Sequence, residues 1–369
     1  MTPREHILSR FGLTGAEAGR GPADTGPVFM PDLSLWHTWH QRRGTLPPEW
    51  QNLTQDEVAS ALGAPAWRAV QPWRARLTGI ETLSEEGEAE RIVRYVTRSG
   101  VLTARWSLGP DGDWWQTEYP VKGVRDLPAA KEIIAARSYK PEPAELAALR
   151  AQMGERGVVA IELPMRPYSD LLHTMLGWAE GLMLFAGEGG SILSEMVAIL
   201  EEKLQGIARQ VAAMPGELVL TPDNLDGQYI SPRAFRGYLA KSYQHTAEVV
   251  QAHGKRLVVH AGGPVRRLLP LLVEAGVDGV EGIAGSLQGD ASLAEARALA
   301  GPDLTLWGGI PQDLLLPIHS REAFEAAVLQ AARDAAGDPR MILGVADRVS
   351  VDSDTDRLRA VAKLVGGVL

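Results

Sequence analysis

From residue 158 onward, short β-branched runs alternate with longer helical stretches, and this alternation constrains the fold more than any other feature. The expected strands lie at 158–163, 217–221, 256–260, 278–283, 304–308 and 340–345. The helices between them carry boundary signals. Ser231-Pro232 offers an N-cap with proline at the first helical position, and Gly254 ends that helix. Ser292-Leu293-Ala294-Glu295 reads as a capping box with Gly301 after its helix, and Gly276 and Gly337 punctuate two more ends. Such regularity implies an α/β fold with a parallel sheet and helical crossovers. With a first strand at 27–31 and one more expected within 65–100, the count reaches the eight of a (β/α)8 TIM barrel. A doubly wound open sheet is the competing architecture. No Gly-x-Gly-x-x-Gly turn follows any strand, which weakens its dinucleotide-binding form.

Residues 88–122 follow a different rhythm. Strand-like runs at 91–98, 101–108 and 114–119 are separated by Ser99-Gly100 and Pro110-Asp111-Gly112-Asp113, the turn residues of an antiparallel meander. This is expected as a small insertion in the N-terminal half of a single barrel domain spanning 1–369. Lys140-Pro141-Glu142-Pro143 reads as a connector into a helix.

The net charge of -9 argues against nucleic acid and anionic membranes as partners, because both need clustered lysine and arginine. With no cysteine, disulfides, thiolate metal sites and cysteine nucleophiles are excluded. No apolar run approaches the ~18 residues of a membrane span, and the first residues lack a signal-peptide core. A cytoplasmic protein is expected. Tryptophans concentrate before residue 120, mostly as packing, with a few expected to line a pocket for a flat ligand.

In parallel α/β folds, reacting groups sit just past the carboxyl ends of the strands. Those positions hold Asp32, Trp36 and His37; then Arg166 and Tyr168; then Asp223, Asn224 and Asp226; then His260, Glu281, Gln312, Asp347 and Arg348. His260 closes its strand and precedes Ala261-Gly262-Gly263-Pro264, where two glycines leave space beside the imidazole for a ligand or metal. Each residue has a structural alternative. His260 would be a core histidine bonded to a carbonyl, Asp223 an Asx-turn residue, and Arg166 half of a salt bridge. Glu281 interrupts an apolar strand and either faces the mouth or pairs with a cation. As substrate contacts, Arg166 and Tyr168 suit a carboxylate, which matches a guanidinium fork.

Several of these segments resemble the uroporphyrinogen decarboxylase family. The resemblance rests on Asp223-Asn224 with Ile230-Ser231-Pro232 and Phe235, on His260-Ala261-Gly262-Gly263, and on Glu274-Ala275-Gly276-Val277-Asp278. Trp307-Gly308-Gly309-Ile310, Ile342-Leu343-Gly344-Val345-Ala346-Asp347 and Pro120-Val121-Lys122 with Asp126-Leu127 continue it. It implies a single (β/α)8 barrel, and either porphyrinogen decarboxylation or zinc-dependent methyl transfer serving corrinoid proteins or small thiols.

The chain departs from both patterns. Nothing matches the arginine-rich Arg-Gln-Ala-Gly-Arg loop of the decarboxylases; Asp32-Leu33-Ser34-Leu35-Trp36 stands there. At the zinc site of the methyltransferases, His260 matches, but Gly262 replaces one cysteine and Asp347 falls at or beside the other. A harder divalent-metal site of His260, Glu281 and Asp347 is the remaining metal expectation.

The expected function is methyl transfer or demethylation of a small substrate, with a corrinoid protein as partner and methyl carrier and a homodimer as a further association. His260, Asp223 and Asp347 are the expected catalytic groups. Asp32, Trp36, His37, Arg166, Tyr168, Asn224 and Gln312 are the expected substrate contacts. Decarboxylation of a porphyrinogen-like or aromatic acid is the alternative, and a non-catalytic ligand-binding barrel the second alternative.

Overall fold

The computed structural model describes residues 1–13, 26–285 and 288–367. Eight strands form one curled parallel sheet and are numbered as barrel strands. They are β1 Val28–Phe29, β2 Ala66–Val70, β3 Gly157–Glu162, β4 Leu218–Leu225, β5 Arg256–Ala261, β6 Gly279–Ile283, β7 Thr305–Pro311 and β8 Met341–Ala346. Their order is β1-β8-β7-β6-β5-β4-β3-β2, so from β2 to β8 sequence neighbours are sheet neighbours, and β1 pairs with β8. The architecture is that of the expected barrel, with one difference. Among the described residues no ladder joins β1 to β2, which leaves a seam. Pro27 and Pro31 flank β1 and lack the N–H a ladder needs, which holds that strand to two residues.

Strand parity divides the apolar residues into two cores. Val28, Met30, Trp67, Val158, Ala160, Leu218, Leu220, Val258, Trp307 and Ile342 cluster inside the barrel. Their strand neighbours, such as Val159, Ile161, Val219, Leu257, Val259, Leu306 and Leu343, pack outward against the helices. This is the period-2 alternation of a pleated strand buried on both faces. Trp67 meets Trp307 edge-on across the interior at 4.6 Å between ring centroids. Each such side chain contributes about 1.5–3 kcal/mol on leaving water.

A helix at Pro3–Arg10, started by a Thr2–Glu5 capping box, brings Ile7, Leu8 and Phe11 into the interior cluster. Phe11 lies against Gly279 at the start of β6, so this segment plugs the amino-terminal end of the barrel. The open end is therefore the carboxyl end. Among the described residues no single helix is long and apolar enough to cross a membrane.

The insertion is larger than expected. It is a four-stranded antiparallel sheet of Glu81–Glu86, Glu90–Val96, Val101–Leu108 and Trp114–Glu118. The first strand escapes a sequence reading because Glu81-Thr82-Leu83-Ser84-Glu85-Glu86 is exposed at every position and lacks apolar alternation. The stretch read as a connector at 140–143 is also corrected. Lys140 and Pro141 end a strand, Arg137–Pro141, paired antiparallel with Trp73–Leu77. The whole insertion lies between the two partners and conceals their pairing from any local pattern.

Candidate active site

Inward positions of two adjacent strands, β5 and β6, together with the residue after β8, build the centre of the carboxyl-end mouth. In β5, Val258 faces the interior, so His260, two residues on, does as well. In the parallel ladder His260 stands directly beside Glu281 of β6. Side chains at such paired positions meet, and His260 Nδ1 lies 2.6 Å from Glu281 Oε2. Asp347, the first residue after β8, approaches from the other side, with Oδ1 3.2 Å from His260 Nε2. The imidazole is thus held between two carboxylates, one buried and one half exposed.

The titration behaviour follows from that arrangement. Burial opposes the charge on His260, but the charge and hydrogen bond of Glu281, with Asp347 and Asp32 behind it, outweigh burial and raise its pKa to about 9. The Glu281 carboxyl is also pushed up, by burial first and by the neighbouring Asp347 and Asp32, against the pull of His260. Both shifts favour a proton held between the two groups in the 2.6 Å bond.

A cavity of about 420 Å³ opens above this pair. Its walls include Asp32, Glu162, Asn224 and Arg348 from the strand ends, Trp67 from β2, and Asp113, Trp114 and Trp115 from the insertion. Arg348 is tied to Asp113 at 2.5 Å, which fastens the insertion to the loop after β8. Gln312 donates from Nε2 to the Arg348 carbonyl at 2.6 Å and so braces the same loop. Burial raises the Glu162 carboxyl, with the His260 charge acting in the opposite sense. Asp32 accepts from the Ser34 amide at 2.8 Å at the start of the following helix.

Of the residues expected at the site, His260, Glu281, Asp347, Asp32 and Asn224 converge on the cavity, and Gln312 adjoins it. Five others are placed elsewhere. Asp223 is fully buried, accepts from the Arg166 amide and the Tyr243 hydroxyl at 2.5 Å each, and does not line the cavity. β4 runs on past residue 221 to Leu225, and Asp223 has the opposite parity to the inward Leu220. Arg166 is buried with it, donating to Thr246 Oγ1 at 2.5 Å. Tyr168 stacks on Tyr238 at 4.8 Å within the helical layer. Trp36 packs against Trp50 in the outer core, and the His37 ring bonds the Leu53 carbonyl at 2.9 Å. None of these five lines the cavity.

Glu162, Asp113, Trp67, Trp114 and Trp115 line the cavity without having been singled out as site residues. Glu162 carried a readable signal, since it ends the inward row Val158, Ala160, Glu162 just as His260 ends its own. The insertion residues carried none, because a contact between Asp113 and Arg348 spans 235 positions.

The glycines after β5 do not leave open space. A Cβ at Gly262 would overlap the Asn224 side-chain oxygen, and one at Gly263 would overlap the Asp226 carboxylate. Asn224 adopts a left-handed backbone at φ 48°, which asparagine tolerates better than most residues. The position that resembles a lost cysteine is therefore filled by an amide from the neighbouring strand.

This bears on the metal expected from the family resemblance. Among the described residues no group of three or more His, Asp or Glu side chains is arranged to hold an ion. His260, Glu281 and Asp347 do meet, but around the imidazole, and both ring nitrogens face carboxylate oxygens. Glu281 and Asp347 lie at opposite ring nitrogens, so the two acids and the imidazole do not converge on one centre. The residues do not fit the hard-metal site.

No family profile matches the chain, and no curated protein matches it. Among solved structures, a methyltransferase from Methanosarcina mazei superposes with a TM-score of 0.59 at 15% identity, covering 100% of this chain and 99% of that one. A D-psicose 3-epimerase from Clostridium cellulolyticum H10 gives a TM-score of 0.35 at 12% identity, covering 66% and 85% respectively. At these identities the likeness is one of fold. Over its whole length, this chain shares the barrel fold of a methyltransferase.

Proposed function

We propose that this chain is a member of the uroporphyrinogen decarboxylase family that removes a methyl group from a small quaternary ammonium substrate. The carrying observation is the charge balance around His260. The cavity wall holds five carboxylates, Asp32, Asp113, Glu162, Glu281 and Asp347, against His260 and Arg348, and Arg348 is already bound to Asp113. Such a wall repels anions and attracts a cation. Trp67, Trp114 and Trp115 add aromatic faces, which hold quaternary ammonium groups through the ring quadrupole.

In the reaction the methyl carbon–nitrogen bond breaks and its electron pair stays on nitrogen. The carbon takes a pair from a nucleophilic acceptor, a role the reduced corrinoid of a partner protein would supply in this proposal. The substrate becomes a neutral tertiary amine. His260, with its pKa near 9, is matched to hand that amine a proton from its Nε2 side, where Asp347 is half exposed. Glu281 and Asp347 hold the ring in place and share the proton. The same wall works against decarboxylation of a porphyrinogen-like or aromatic acid, because the substrate carboxylates would enter an acidic mouth.

The test supplies tetramethylammonium and a chemically reduced corrinoid to the purified protein and measures trimethylamine. Amine should form, and His260→Ala should slow its release, because the protonation that follows C–N cleavage loses its donor. Carbon dioxide release from an aromatic acid, with no amine formed from any quaternary ammonium compound, would replace this reading with the decarboxylase one. Cation binding without turnover would make the barrel a binding module.

A further inference from the structure

A second cavity of about 630 Å³ adjoins the mouth. The two share Glu162 and Pro222 as common walls. Most of its remaining walls come from the insertion, the Trp73–Leu77 and Arg137–Pro141 pair, and the chain after β3.

The lining differs from that of the mouth in both charge and shape. Four aromatic rings, Trp73, Tyr95, Trp106 and Tyr139, face this space from separate strands. Trp73 and Tyr139 meet edge-on at 5.0 Å, and the Trp73 indole N–H donates to the Glu162 carbonyl at 2.8 Å. Arg137 is ion-paired with Asp170, so the two charges cancel. Gln116 donates from its amide nitrogen to the Thr174 carbonyl at 3.1 Å, which leaves its amide oxygen as an acceptor. Apart from the shared Glu162, whose carboxyl burial pushes toward its neutral form, the charges of the chamber cancel and its lining is aromatic, the composition of a site for a flat uncharged ring.

We propose that this side chamber holds a planar aromatic group of the substrate whose quaternary ammonium end lies at His260. The inference rests on the cationic-substrate reading of the mouth and extends it to the substrate's non-reacting part. The insertion thereby acquires a role in selectivity. Tyr95, Trp106 and Gln116 select the ring while the strand ends carry the chemistry. Binding energy gathered there positions the methyl group at the mouth.

The experiment compares two probes, tetramethylammonium and benzyltrimethylammonium, by isothermal titration of the full chain. The benzyl compound should bind about tenfold tighter, the size of one well-formed aromatic contact. Trp106→Ala should abolish that advantage while leaving tetramethylammonium affinity unchanged. Tyr95→Leu serves as the second variant should Trp106→Ala fail to fold, with circular dichroism as the check. Equal affinities for the two probes, or an advantage that survives both substitutions, would overturn the chamber assignment and leave the mouth reading intact. Benzyl alcohol supplies the converse control. If it binds and loses affinity in Trp106→Ala while tetramethylammonium binds nowhere, the chamber stands and the cationic mouth falls.

Discussion

Two buried charge clusters lie on opposite faces of the sheet, one built around Asp223 and the other around His260. Asp223 and Arg166 form an ion pair at 3.7 Å under the helix Ala240–Gln251, whose Tyr243 and Thr246 complete the network. Every one of these four side chains is fully buried, and none lines the mouth cavity. The His260 cluster has the same ingredients, a cation and carboxylates at short range, but it lies under open space and its acids outnumber its cations. Buried charge alone does not mark a site. A vacant volume beside an unbalanced charge does, because only there can a ligand supply what the protein leaves out.

The sharpest way to break this contrast is Asp223→Ala. Removing one partner leaves Arg166 buried and uncompensated, so stability should fall by about 3–5 kcal/mol, read as a lower urea midpoint. Unchanged stability with lost activity would put Asp223 back among the reacting groups. Glu281→Gln should do the reverse. Turnover should fall by about 10²-fold through loss of proton control, with a smaller loss of stability, since His260 can release its proton at the mouth. An effect on stability as large as that of Asp223→Ala would erase the distinction.

The pH dependence separates the clusters further. The folded pKa of His260, about 9, lies above its unfolded value of 6.5. Its contribution is therefore fully present below pH 6.5 and is lost as pH rises through 9. Glu281 shifts upward too, so its contribution has the same sign, with loss beginning above its ordinary 4.5. Imidazole NMR should show a midpoint near 9 that drops toward the ordinary value in Glu281→Gln. A wild-type midpoint near 6.5 would contradict the paired geometry. The smallest effect belongs to the partly exposed rim pair: Arg348→Ala should cost at most about 1 kcal/mol by thermal unfolding.

What the sequence revealed follows strand parity. His260 lies one residue before the end of β5, Glu281 in the middle of β6 and Asp347 just after β8, and inward parity brings all three to the mouth. Asp223 looked equivalent because its strand was expected to stop at 221. In the structure β4 continues through a register shift between Thr221 and Leu225, and that continuation carries Asp223 to the helix side. The tryptophans were legible as a composition and not as a wall. Trp114 and Trp115 reach the mouth only because the insertion folds back and Asp113 binds Arg348. No periodicity encodes that fold-back.

The overlap between Asn224 and any side chain at position 262 carries an evolutionary consequence. It makes the two positions epistatic. A cysteine introduced at 262 alone meets an occupied volume, and one introduced after Asn224 has shrunk does not. Any larger side chain at 262 therefore depends on what stands at 224. Paired substitutions at 224 and 262 should be tolerated better than the single change at 262.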